Sequence, residues 1–145
     1  MLMAELAKMF DAAETAEIEA RPVAMGPANT VDALELAAGW AGRVEKFDRD
    51  RALPWSDRTV WNEHDLAGAL FLRDFLQQAL DGLPQPIRQK LAQFVEAADS
   101  TFRGYTIDDP DGKMAKIADV DPNGRPWWWR RVPVDGPIVQ DLTNY

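Results

Sequence analysis

Residues 86–104, PIRQKLAQFVEAADSTFRG, carry the plainest structural signal in the chain. Ile87, Leu91, Phe94, Val95, Ala98 and Phe102 recur at spacings of three and four, so they fall on one stripe of an α-helix. Pro86, with Pro84 before it, suits the first turn of a helix, and Gly104 ends it. The segment predicts an amphipathic helix with one face against a core, and the neighbouring segments must supply that core.

The stretch before it does so. Asn62 followed three residues later by Asp65 reads as an N-terminal cap and Gly82 as a stop, which predicts a helix over 63–81. Phe71, Leu72, Phe75, Leu76, Ala79 and Leu80 cover about half its girth, with Arg73, Asp74, Gln77, Gln78 and Asp81 on the other side. Gly68 falls inside the apolar arc, where it would let a neighbouring helix come close. Further back, Val31, Leu34, Ala38, Ala41, Val44 and Phe47 predict a helix over 31–51, with Trp40 at the border and Asn29 or Thr30 as cap. Gly39 and Gly42 weaken it by about 1 kcal/mol each relative to alanine. Leu53-Pro54-Trp55-Ser56-Asp57 separates these two helices. Pro22, Gly26 and Pro27 make 21–29 a loop. Leu2, Leu6, Met9, Ala13, Ala16 and Ala20 predict one acidic N-terminal helix over 2–20, which either docks on the body or hangs loose at its periphery.

Past residue 104 the character changes. Asp109-Pro110-Asp111-Gly112 and Asp121-Pro122-Asn123-Gly124 repeat one turn pattern, with Asp, Pro and Gly at the first, second and fourth positions of a type I turn. They predict a three-stranded antiparallel meander over 105–108, 113–120 and 125–132, or at least the hairpin around Gly124. Pro133, Gly136 and Pro137 close it, and Ile138–Leu142 adds a helical turn. The fold class expected is α-rich α+β. Three to four helices pack with a small C-terminal antiparallel β-hairpin or meander in a single domain over 1–145. Its parts are an N-terminal helix (1–20), a helical core (31–103), the meander (105–134) and a tail (135–145).

Composition narrows the function. The chain has 145 residues, a net charge of −8 and no cysteine, which excludes disulfides and thiolate chemistry. Its acidity disfavours phosphate backbones and anionic lipids and admits a basic protein partner. No apolar run is long enough to span a bilayer, and Glu5 and Lys8 interrupt any signal-peptide pattern, so a cytoplasmic protein is expected.

The densest candidate site is Arg125-Pro126-Trp127-Trp128-Trp129-Arg130-Arg131. As a strand it would turn Trp127, Trp129 and Arg131 one way and Trp128, Arg130 and Val132 the other. Two readings stand side by side. The tryptophans seal the sheet against the helices, with the arginines paired to Asp74 or Asp81; or an exposed indole and guanidinium bind a partner or a planar anion. Trp55 and Trp61 bracket a loop that they anchor on the core, unless they line a groove with Trp128 or Trp129. His64 is the sole histidine, and helical spacing turns it, with Asp65, toward the apolar side as a buried pair. A lone histidine excludes a multi-histidine metal site, and Ser56 and Ser100 sit in no nucleophile motif. Asp119, Asp121, Asn123 and Gly124 resemble the start of a calcium loop, but its twelfth position holds Arg130, so no metal and no cofactor is expected. The binding residues singled out are Trp127, Trp128, Trp129, Arg130, Arg131, Trp55, Trp61 and His64. They suit a non-enzymatic protein-binding module, an inhibitor, antitoxin or immunity-like protein acting by occlusion. The alternatives are a small-anion binder or enzyme with a Trp/Arg pocket near His64, and an assembly subunit self-associating through helices.

Overall fold

The computed structural model describes residues 2–145. In chain order these form α1 (Leu2–Ala7), α2 (Ala12–Glu19), β1 (Val23–Gly26), β2 (Asn29–Val31), α3 (Ala33–Asp50), α4 (Glu63–Asp81), α5 (Ile87–Gly104), β3 (Thr106–Asp108), α6 (Lys113–Ala118), a 3-10 turn (Trp127–Arg130), β4 (Arg131–Pro133) and α7 (Pro137–Leu142). The architecture is α-rich, with seven α-helices and two small antiparallel sheets among the described residues. The chain divides into two compact units.

The first unit runs to Arg43 and takes in Phe71–Asp99. Leu6, Ile18, Leu36, Trp40, Leu76 and Leu91 are fully buried in it. The expected single helix over 2–20 is two. The first ends at Ala7, and Asp11 caps the second, its carboxylate accepting from Glu14 N at 2.8 Å while the Glu14 carboxylate accepts from Asp11 N at 3.1 Å. The expected loop over 21–29 holds instead the β1–β2 hairpin, with Val23 opposite Val31. Asp32, two residues past Thr30, takes the place of the expected Asn29 or Thr30 cap of α3 and accepts from Glu35 N. Arg73 overturns the polar face assigned to it on α4, because only 4% of its side chain is exposed. Its Nε and Nη2 donate to the two oxygens of Asp99 at 3.0 and 2.9 Å, and Trp40 Nε1 donates to the same carboxylate at 2.9 Å. Three hydrogen bonds thus satisfy a buried carboxylate, which is what lets an ion pair sit among apolar side chains.

The second unit comprises Val44–Leu70 and Ser100–Tyr145. Phe47, Leu66, Leu70, Phe102, Met114, Trp129 and Leu142 are buried in it. Asn62 caps α4 as expected, accepting from Asp65 N while the Asp65 carboxylate accepts from Asn62 N at 2.9 Å. Gly68 does not admit a close neighbour: it is exposed, and a methyl group there would meet nothing within 4 Å. Buried Asp50 accepts from Lys46 Nζ and from Trp61 N, tying the 51–62 loop back onto α3.

The expected meander is replaced by a different closure. Residues 113–118 are helical, and the sheet pairs β3 with β4, Ile107 opposite Val132, across an insertion of twenty-two residues (109–130). Two local causes decide this. The Asp109 carboxylate accepts from Met114 N at 2.9 Å, starting a helix in a segment of good helix formers that buries Met114 and Ala115. Trp128 and Trp129 are adjacent and both buried, whereas strand alternation would send one of them to solvent; a 3-10 turn keeps both inside. The second turn closes one residue late, between Pro122 O and Arg125 N.

Candidate functional site

The second unit carries two adjoining concavities around one ridge. The larger, of about 600 Å³, is lined by both proline turns, through Asp109, Pro110 and Gly112 on one side and Pro122, Asn123 and Gly124 on the other, with Arg130 between them. The smaller, of about 270 Å³, is apolar, walled by Ile107, Val132, Val134, Val139 and Leu142. Asp108, Asp109 and Pro110 line both.

Local chemistry builds the ridge. Gly112 N donates to Asp109 O at 3.0 Å and closes the first turn, with Gly112 in the left-handed conformation at φ +63° that glycine adopts without strain. Asp109 N donates to Arg130 O at 2.9 Å, so the 3-10 turn continues the β3–β4 ladder and carries Arg130 to the ridge. Arg130 is exposed, and its Nη1 donates to Arg125 O at 3.0 Å. Arg131 acts as a clamp: Nε donates to Thr106 Oγ1, Nη2 to Thr106 O and Arg103 O, and Nη1 to Asp108 Oδ1 at 3.0 Å. Arg131 takes these nearer partners in place of the expected Asp74 or Asp81, because it lies opposite Asp108 in the sheet.

The tryptophan segment is mostly interior. Trp128 is 3% exposed and Trp129 is fully buried, while half-buried Trp127 has the Arg103 guanidinium 3.9 Å from its ring centroid. Trp61 meets Phe47 edge-on at 5.3 Å under Lys46. Trp55 is 53% exposed and not a core anchor; its Nε1 donates to Asp141 on α7 at 2.6 Å. The His64 side chain is 67% exposed, so the expected buried His64–Asp65 pair does not form: Asp65 is spent on the cap, and His64 lies 3.6 Å from Glu63. Of the sequence-derived candidates, Arg130 alone lines either groove; Trp55, Trp61 and His64 line neither. Ile107, Asp108, Asp111, Val134 and Val139 were not singled out as binding residues, although the first Asp-Pro turn marked the place.

Beside the site, the Tyr105 hydroxyl donates to Val44 O at 2.7 Å, and burial pushes its phenol well above the usual tyrosine range. Arg51 lies 5.2 Å over its ring; its hydrogen bond to Asp135 raises the guanidinium and holds the Asp135 carboxyl below the usual carboxylate range. Among the described residues no three His, Asp or Glu side chains gather where they could hold a metal ion, and no helix is long and apolar enough to cross a membrane. In comparison with known proteins the chain matches no family model, no curated protein and no solved structure.

Proposed function

We propose that the chain is a non-enzymatic protein-binding module, an inhibitor, antitoxin or immunity-like protein that covers a partner's working surface. The observation that supports this most is the Asp108–Pro110 ridge, where an apolar groove and a more mixed one meet on an exposed face. An apolar centre with a polar rim is the composition of a recognition surface. The net charge of −8 adds long-range attraction for a basic partner, which raises association rates. The test is a pull-down from lysate of the source cells, comparing the native chain with Asp111→Lys/Val139→Lys and with Arg130→Glu. A protein that binds the native chain, loses its own activity when bound, and is lost on the ridge variant is the expected result. Equal capture by all three proteins would remove the ridge from this reading.

One observation favours a second reading. The larger groove falls within the size range of small-molecule sites, and it places the exposed Arg130 beside two glycine turns. A small anion bound there would quench tryptophan fluorescence in the native chain and not in Arg130→Ala. A flat response to nucleotides, sugar phosphates and acyl anions would sink it.

A further inference from the structure

We infer that the apolar groove beside the ridge takes a segment of a partner protein that carries aliphatic side chains next to lysine or arginine. This rests on the protein-binding reading above and specifies the chemistry of its partner.

The groove, at about 270 Å³, is small for a cofactor or drug-sized ligand and offers room for one or two aliphatic side chains. Its walls come from three places in the fold: Ile107 on β3, Val134 after β4 and Val139 on α7, exposed by 49%, 47% and 37%. Backbone pairing does not suit it. The Thr106 carbonyl on the outer edge of β3 is already taken by Arg131 at 2.6 Å, and Pro133 on β4 has no N–H to offer. Recognition therefore falls to side chains.

The rim selects their charge. Asp111 is exposed and makes no hydrogen bond or ion pair among the described residues, and the Asp108 side chain is 87% exposed with only Oδ1 engaged. The nearest cations are committed to the fold: Lys113 Nζ donates to Leu142 O at 3.1 Å, and Arg131 is spread over Thr106, Arg103 and Asp108. Lys113 lines the groove with its ammonium on a backbone carbonyl, and the exposed Arg130 lines the neighbouring groove and not this one, so among the described residues the exposed charged atoms left without a partner on this rim are the Asp111 carboxylate and Asp108 Oδ2. A second copy of this chain would bring the same acidic face and a further −8 charge, so like-charge repulsion disfavours self-association here. A cationic, aliphatic segment meets both the walls and the rim.

The test is a random-peptide display selection on the immobilised whole chain, counter-selected on Asp111→Lys/Val139→Lys. The best peptide is then synthesised, labelled and titrated by fluorescence anisotropy. Both substitutions lie at exposed positions, and far-UV circular dichroism with a thermal melt confirms that the variant is folded. The expected outcome is enrichment of Leu, Ile, Val or Met beside Lys or Arg. Affinity should fall at least tenfold in the double variant, by a smaller factor in each single variant, and again as salt is raised enough to shorten the Debye length to about 3 Å. No enrichment, an acidic consensus, or equal binding by native and variant chains would overturn the inference. So would a dimer in sedimentation that Val139→Lys dissolves. If the pull-down partner is still lost on the ridge variant while the selected peptides lack cations, the partner chemistry is wrong and the protein-binding reading stands.

Discussion

Replacing Asp99 by asparagine isolates the charge of the buried carboxylate from its shape. The amide oxygen can still accept from Trp40 Nε1, but Arg73 loses its counter-charge in a place where only 4% of either side chain meets solvent. Removing one partner of a buried ion pair costs about 3–5 kcal/mol, because the other charge is left uncompensated. Arg73→Met strands the opposite charge and should cost a similar amount. A small protein has about 5–15 kcal/mol of stability in all, so either variant loses a large share of it. Urea unfolding followed by far-UV circular dichroism reads this directly: with slopes of about 1–3 kcal/mol per molar, the midpoint should drop by more than about 1 M. Asp99→Asn/Arg73→Met removes both charges together while keeping an acceptor for Trp40, and it should lie at least about 2 kcal/mol closer to the native chain than the sum of the single losses. A cost below about 1 kcal/mol for Asp99→Asn, or strict additivity in the double variant, would refute the claim that the charges are paired and desolvated.

Two glycines should respond in opposite directions to alanine. Gly136 sits at φ +96° with an added methyl only 2.8 Å from Arg51 Cα, so Gly136→Ala should destabilise by at least about 1 kcal/mol. Gly68→Ala, in an exposed helical position with open space, should stabilise by up to about 1 kcal/mol; thermal melts of the two check the pair. The raised phenol of buried Tyr105 means that the native state keeps a proton the unfolded chain releases. Stability is therefore full below the unfolded value, about pH 10, and falls as pH rises above it. Tyr105→Phe should flatten that alkaline fall while costing about 1 kcal/mol at neutral pH for the lost hydrogen bond, and an unchanged alkaline slope would count against it. On the acid side, Glu14 is held low by its hydrogen bond to Lys90 and Asp135 by its hydrogen bond to Arg51. Their contribution is present above the unfolded carboxylate values, about pH 4, and is lost as pH falls through the depressed native values. Glu14→Gln and Asp135→Asn should each make the melting temperature less steep in acid, and a slope identical to the native chain's would reject the assignment.

What the sequence made legible was what local chemistry alone controls. The helix over 63–81 has its predicted bounds because Asn62 and Asp65 cap each other across three residues, with no distant partner involved. The break at Asp11 was equally local: Asp11 and Glu14 form a capping box, but an apolar stripe running from Leu2 to Ala20 concealed it. The β1–β2 hairpin turns on Pro27 and Ala28, which lack the Asn-Gly signature that announces a tight hairpin. Arg73 was misassigned because its partner lies twenty-six residues away on another helix. The trace of that partner was visible, since Asp99 stands four residues after Val95 and three before Phe102, on the apolar stripe of α5. A carboxylate on such a stripe must find a buried donor or leave the core.

The same logic relocates the candidate surface. Three consecutive tryptophans followed by two arginines look like an exposed hot spot when read as a strand. Two of those indoles instead fill the interior, and a third lies under Arg103. Arg131 spends its guanidinium on Thr106, Arg103 and Asp108, joining β4 to β3 and to the end of α5. A guanidinium committed to neighbouring carbonyls gives little to a ligand and a good deal to the rigidity of the backbone beside it. That rigidity is felt at the Asp108–Pro110 ridge, whose backbone is hydrogen-bonded to Arg130 and whose turn is closed by Gly112. A preorganised ridge loses little entropy on binding, which favours recognition of a partner by a small surface. In the proposed binding role the tryptophan–arginine segment holds a turn in place, and the aspartates and aliphatic side chains around that turn supply the contacts.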